Sequence, residues 1–230
     1  VNRNEFWCGT DGNGLWIFDR RIKKYSAHYY TNPTDMYSIG ANTITYLFKD
    51  KDANIWVSSD PQSIDKASPQ FQQFHHYRLQ QKANKVNSNS VWSICELDSN
   101  RVIVCFNQQG PIIYNYKTNQ EKHFAIPSGF KESSVYHALR DTGGNIWLST
   151  DIGIFHSKNK LQSIQKIYPF NSYYTTLVQD GNKLVIGNKE GLFFLPVDLH
   201  THKLDTITPL NSKSISAIAK GKDLFVATES

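Results

Sequence analysis

One short pattern recurs along this chain and limits what it can fold into. An aromatic or aliphatic anchor is followed by two or three small residues, a polar turn, a glycine and an apolar run. It begins as Trp7-Cys8-Gly9-Thr10-Asp11-Gly12-Asn13-Gly14-Leu15-Trp16 and returns as Trp56-Val57-Ser58-Ser59-Asp60. Further copies are Ile103-Val104-Cys105-Phe106-Asn107-Gln108-Gln109-Gly110 and Trp147-Leu148-Ser149-Thr150-Asp151-Ile152-Gly153-Ile154. Two weaker ones are Val185-Ile186-Gly187-Asn188-Lys189-Glu190-Gly191-Leu192 and Phe225-Val226-Ala227-Thr228. The six anchors stand 38 to 49 residues apart. Strand-rich repeats of about 40–50 residues are β-propeller blades.

The segments between anchors read as strands. Ahead of each later anchor lies a β-branched or aromatic run: Ile44-Thr45-Tyr46-Leu47-Phe48, Val91-Trp92-Ser93-Ile94-Cys95, Val135-Tyr136-His137-Ala138-Leu139, Tyr174-Thr175-Thr176-Leu177-Val178 and Ile215-Ser216-Ala217-Ile218-Ala219. Turns such as Asp50-Lys51-Asp52-Ala53-Asn54 and Asp141-Thr142-Gly143-Gly144-Asn145 join run to anchor, with the residue types that tight hairpins need. A third strand follows each of the first five anchors, and outer strands are expected over residues 71–77, 120–126 and 161–168. The fold class is therefore all-β, a propeller of four-stranded antiparallel blades spanning residues 1–230. The census opens in the second strand of one blade, runs through four whole blades and stops at the second strand of a sixth. That is about five blades' worth of an incomplete ring. It predicts a piece of a larger propeller, with compact five-blade closure as the alternative. The start at Val1 rather than Met points the same way, to a processed or excised chain.

Composition removes several function classes. Hydrophobic residues make up 39% and charged residues 20% of the 230, enough to bury a core. No apolar stretch approaches the ~20 residues of a membrane helix, which excludes a transmembrane helix for this segment alone. The net charge of +5 is scattered apart from Arg20-Arg21-Ile22-Lys23-Lys24, which reads as a solvated rim, so no nucleic-acid partner is expected. Cys8, Cys95 and Cys105 have no C-x-x-C spacing, and the last two read as small core residues.

Tyr30-Thr31-Asn32-Pro33-Thr34-Asp35-Met36-Tyr37-Ser38-Ile39 through Ile44, the stretches from Asp50 to Trp56 and Asp141 to Trp147, and Trp7-Cys8-Gly9-Thr10 with Gly14-Leu15 carry a resemblance. They resemble two-component regulator propeller repeats, as in the periplasmic sensor region of hybrid two-component histidine kinases. The resemblance extends over essentially the whole chain. Ile103, Val185 and Phe225 in place of the anchor Trp, and Pro111 after Gly110, depart from it. It implies a periplasmic segment whose parent is anchored in the inner membrane and is a kinase, with the rest of the propeller and sensor chain as partner. It also implies an oligosaccharide ligand, a homodimer in the full-length protein, and signalling by domain or subunit rearrangement.

Chemistry beyond binding finds little support in the residues. Asp50-x-Asp52-x-Asn54 starts like a calcium loop, but Ile55 and Pro61 stand where its Gly and Glu belong. His200-x-His202 has no third ligand near it, and His75-His76 points its rings to opposite sides of a strand, so no metal and no cofactor are expected. Hydrolase and nucleotide motifs are absent, and no catalytic residue is assigned; His137 is the one histidine in an inner-strand run. A ligand would sit where the loops into inner strands meet the loops after second strands. The candidates there are Trp92, Tyr136, His137, Tyr174, Asn42, Asn89, Asp11, Asn13 and Gln108. Aromatic faces beside amides and carboxylates suit a sugar, although Trp92 and Tyr136 could equally pack between blades. Asp11, Asp60 and Asp151 could equally brace turns. A protein-interaction propeller without a small ligand, or a propeller lyase or hydrolase acting on polysaccharide through His137, are the competing classes.

Overall fold

In a computed structural model the described residues are 4–60, 63–68, 74–78, 90–108, 110–123, 133–158, 161, 163–168, 175–198, 205–206 and 214–228. All their regular structure is β. The first sheet pairs β1 (Glu5–Gly9), β2 (Leu15–Asp19) and β3 (Lys24–Tyr29). The second comprises β4 (Thr43–Lys49), β5 (Ile55–Asp60), β6 (Ser63–Ala67) and β7 (Phe74–Arg78). The third comprises β8 (Val91–Glu96), β9 (Arg101–Phe106), β10 (Ile112–Asn115) and β11 (Gln120–His123). The fourth is β12 (Val135–Arg140), β13 (Ile146–Thr150), β14 (Gly153–Ser157) and β15 (Gln165–Tyr168). The fifth is β16 (Thr176–Asp180), β17 (Lys183–Asn188), β18 (Gly191–Pro196) and β19 (Asp205–Thr206), and the sixth pairs β20 (Ile215–Lys220) with β21 (Leu224–Thr228). Neighbouring strands run antiparallel in sequence order, the blade topology that the repeat implies. Four full blades between a three-stranded and a two-stranded sheet make the strand set of an incomplete propeller ring.

The chain forms two compact units, Val1–Asn107 with Pro111–His123 and Gln108–Gly110 with Phe124–Ser230. The first three sheets belong to the first unit and the last three to the second.

The anchors pack forward. Trp56 lies with Val102 and Val104 of the third sheet, and Trp147 with Leu184 and Ile186 of the fifth. Trp7 packs against the cluster holding Ile55 and Val57 of the second sheet. Because strand side chains alternate, the residues flanking the anchors Ile103 and Val185 face the other way, onto the preceding blade of the same unit. Val102, Val104, Leu184 and Ile186 are buried to 1% exposure or less on that account, whereas the equivalent Phe6 is 52% exposed. Phe225, in the anchor position of the last sheet, is 63% exposed where Trp56 and Trp147 are fully buried. The two terminal sheets thus carry blade-packing faces that no described residue covers.

The repeat's turn chemistry is visible in the fold. Both oxygens of Asp50 are used: Oδ1 accepts from the Asn54 amide at 2.8 Å, and Oδ2 accepts from Asn54 Nδ2 at 2.8 Å and Trp56 Nε1 at 2.9 Å. Asp141 makes the same three bonds to Asn145 and Trp147 at 2.8, 2.9 and 2.9 Å. The Asp-x-x-x-Asn-x-Trp spacing is a hairpin staple that engages both carboxylate oxygens of Asp50. The third position of the motif is small because the next blade's inner strand begins against it. A Cβ on Gly9 would stand 2.6 Å from Ile44 Cγ2, and one on Gly187 would stand 2.5 Å from Ile215 Cγ2. At the fourth position Thr10 and Thr150 donate to Gly14 O and Gly153 O at 2.7 and 2.8 Å, closing their own turns.

Some boundaries differ from the expectation. The outer strand expected over 161–168 starts only at Gln165, because Leu161 adopts φ 73° and its amide donates to Ser157 Oγ in a turn. The outer strands expected over 71–77 and 120–126 are seen at Phe74–Arg78 and Gln120–His123, and residues 71–73 and 124–126 lie outside the described residues. The fourth strand that the count of whole blades requires in the fifth sheet, for which the sequence offers no range, is Asp205–Thr206. Cys95 and Cys105 are buried free thiols, with burial raising Cys105 well above the usual thiol range, so both act as core residues.

Candidate ligand-binding site

Antiparallel pairing brings the entry of each inner strand beside the exit of its own second strand, at Thr43↔Asp60, Val91↔Phe106, Val135↔Thr150 and Ile215↔Thr228. Four inner strands carry a β-bulge at this point. Thr45, Trp92, Tyr136 and Ser216 are each the extra residue, skipped between Ile44 and Tyr46, Val91 and Ser93, Val135 and His137, and Ile215 and Ala217. A bulge re-aims a side chain out of the regular alternation, so Trp92 and Tyr136 share a special backbone position as well as a register. Trp92 is half-buried and Tyr136 is 8% exposed.

Hydrogen bonds stitch the same ends to the next blade. Thr45 Oγ1 donates to Val91 O at 2.6 Å, and Ser58 Oγ reaches the same carbonyl at 3.3 Å. Ser149 Oγ donates to Thr175 O at 2.6 Å. Sequence reasoning missed these seam residues. Their signal is a small polar residue at the third motif position, where glycine stands in the tightest copies.

The first unit holds five of the candidates, one of them outside the described residues. Asp11 Oδ1 accepts from Thr43 Oγ1 at 3.2 Å. Asn42 accepts twice, through Oδ1 from the Thr31 amide and through its carbonyl from the Gly14 amide, both at 2.8 Å. Asn13 is exposed; its amide donates to Thr10 Oγ1 at 3.2 Å and its carbonyl accepts from His28 Nε2 at 2.8 Å. Trp92 stands in the bulge of β8, and Asn89 lies outside the described residues. Asp60, read as a turn brace, accepts through Oδ1 from Ser90 Oγ at 3.2 Å.

The second unit holds Gln108, Tyr136 and His137, while Tyr174 lies outside the described residues. Gln108 is exposed at φ 58°, and its amide donates to Ser134 Oγ at 3.2 Å. His137 links two blades. Its Nδ1 accepts from the Leu177 amide at 3.1 Å and lies 3.2 Å from Thr176 Oγ1. Accepting at Nδ1 puts the ring proton on Nε2, and burial lowers the pKa to about 4, so the imidazole is neutral near pH 7. A lone pair held by a backbone amide is not presented as a base. Among the described residues, no group of three or more His, Cys, Asp or Glu could hold a metal ion. His200 and His202 lie outside them.

No family model matches the chain. Over 214 residues, 90% of its length, it is 25% identical to Histidine kinase P4 of Formosa agariphila, and the match spans 15% of that protein. Its fold matches the extracellular domain of a hybrid two-component system of Bacteroides thetaiotaomicron at a TM-score of 0.78 and 19% identity, over 98% of this chain and 31% of that one. A β-propeller domain from Myceliophteria thermophila matches at 0.69 and 13% identity, over 98% of this chain and 76% of that one. The chain therefore spans a minor part of the histidine kinase and of the extracellular domain that it resembles.

Proposed function

We propose that this chain is a segment of the periplasmic ligand-sensing propeller of a hybrid two-component histidine kinase, whose parent is anchored in the inner membrane. The observation that carries the reading is the relation to a histidine kinase over 90% of the chain, joined to a fold shared with a two-component extracellular domain. The ligand is an oligosaccharide, and the segment itself is not an enzyme. The blade-packing faces at Phe6 and Phe225 take the rest of the propeller, and the full-length protein is a homodimer. Signalling needs a ligand with different affinities for two arrangements of domains or subunits, since equal affinity shifts nothing. Bulged aromatics at the blade ends supply rings for sugar C–H faces.

A protein-interaction propeller without a small ligand is the second reading. It is favoured by one feature: Asp11 and Asn42 direct their side-chain acceptors to Thr43 and Thr31 of the chain itself. Calorimetric titration of the full-length protein with oligosaccharides released from a panel of polysaccharides separates the two. Saturable binding of one member supports the sensor reading, and binding of none favours the interaction propeller.

A further inference from the structure

The residue that follows the bulge of each bulged inner strand is Tyr46, Ser93, His137 or Ala217. In the first unit Tyr46 hydrogen-bonds to Ser93 of the following sheet, and burial pushes its hydroxyl up to about 12. That contact keeps one protonation state at any pH near neutrality. In the second unit His137 stands at the same place and reaches β16 of the following sheet. Of the four residues, His137 alone changes charge between neutral and acid pH.

A proton acts on the two contacts differently. His137 Nδ1 accepts from the Leu177 amide at 3.1 Å, and the same nitrogen lies 3.2 Å from Thr176 Oγ1. A neutral imidazole can accept there, whereas an imidazolium is a donor at both nitrogens and accepts nothing. Protonation therefore sets Nδ1–H against the Leu177 N–H. The Thr176 hydroxyl can turn its oxygen to the new proton, but the amide remains a donor. Leu177 is buried, so bulk water does not replace the acceptor that its amide loses.

The rest of the seam is held from the same place. Ser149, which pairs with His137 across the hairpin, donates to Thr175 O at 2.6 Å. His137 and Ser149 thus hold three consecutive residues, Thr175, Thr176 and Leu177, at the entry of β16. Those neighbours of the ring, on β13 and β16, carry no charge. The second buried histidine of the fourth sheet, His156 on β14, lies against the Trp147 ring, with Asp141 favouring its protonation and Lys158 opposing it.

We infer that the seam between the fourth and fifth sheets is an acid-operated latch. Neutral His137 holds β12 to β16, and the imidazolium releases them while the Tyr46 contact of the first unit stays closed. Burial lowers His137 to about 4 in the closed seam, against its ordinary 6.5. Opening the seam therefore takes up a proton across that window, and acid favours the open form. The latch needs no ligand and stands apart from the sensing reading.

Hydrogen–deuterium exchange of the full-length protein at pH 7 and pH 4, corrected for intrinsic exchange rates, reads the two seams side by side. The expected result is that protection over β12 and β16 falls at least about tenfold more than protection over β4 and β8. His137→Asn supplies an acceptor that does not titrate, and its melting temperature at pH 7 checks the fold; in this variant the excess loss disappears. Equal losses at both seams mean general acid unfolding and overturn the latch, as does unchanged protection over β12 and β16. An excess loss that persists in the folded variant belongs to His156 and overturns it too. If the variant does not fold, nitrogen NMR titration of the histidines in the unaltered protein decides. The Leu177 amide must then lose protection with the midpoint at which His137 takes up its proton, and two separate midpoints overturn the latch.

Discussion

Trp147 donates its indole Nε1–H to Asp141 Oδ2 over 2.9 Å, and Trp56 repeats the bond to Asp50 at the same distance. The carboxylate so engaged also holds the Asn145 or Asn54 amide, which ties the hairpin turn to the anchor that packs on the following blade. Replacing Asp141 with Ala leaves three donors around a site only 4% exposed. The expected loss is about 2–4 kcal/mol of stability, read from urea denaturation midpoints at constant m-value. A change within about 0.5 kcal/mol would show that the staple is incidental to folding.

Both staples hold the residue before the Asn in a left-handed conformation, one with alanine and one with glycine. Ala53 adopts φ 63° where the equivalent Gly144 adopts φ 82°. A left-handed conformation costs an L-residue roughly 1–2 kcal/mol, partly offset by the greater chain entropy of glycine when unfolded. Ala53→Gly should therefore raise stability by up to about 1 kcal/mol, whereas Gly144→Ala should lower it. Thermal melts of both variants test the pair.

Gly187 is small for a steric reason. A Cβ there would meet Ile215 Cγ2 at 2.5 Å and Ile218 Cδ1 at 2.8 Å. Gly187→Val must push the last sheet's inner strand away, at a cost of about 1–3 kcal/mol. Faster hydrogen exchange in β20 than in β16 would locate the damage at that seam.

Burial lowers His137 to about 4 from its ordinary 6.5. Between those values the unfolded chain binds a proton that the folded chain refuses, so stability rises with pH across the window and falls on acidification. The loss between pH 7 and pH 4 is on the order of 2–3 kcal/mol. Burial also lowers His156, which adds in the same direction. His137→Asn can place Oδ1 where Nδ1 accepts the Leu177 amide, and it should flatten the acid limb of a stability–pH profile without removing it. An unchanged profile would mean that His137 titrates normally in the folded chain.

If the Trp92 and Tyr136 rings stack on a sugar, Ala at either position weakens oligosaccharide binding by about 1–3 kcal/mol while the protein remains folded. Affinity that is unchanged in both folded variants would assign the rings to blade packing.

The blades were legible because their signals are local: a Trp with a small residue two positions on, an Asp-to-Asn turn, and alternating runs of β-formers. Trp56 and Trp147 could be placed as anchors without coordinates, and so could the inner strands starting near Thr43 and Val135. The bulges at Trp92 and Tyr136 were not legible. Both faces of an interior strand are buried, so skipping one residue leaves no break in hydropathy. The short strand Asp205–Thr206 has no apolar residue to mark it. The roles of Asp11 and Asn42 were hidden for a different reason. Their partners, Thr43 and Thr31, become neighbours only after the chain has turned through a blade.

The central claim is that the chain senses a ligand for a kinase. The most direct measurement is autophosphorylation of the full-length parent in membrane vesicles, with and without oligosaccharides released from individual polysaccharides. The account predicts that one digest changes the phosphorylation rate at saturation, and that Trp92→Ala shifts the half-maximal concentration upward. A parent with no kinase activity, or a rate indifferent to every digest, would contradict it.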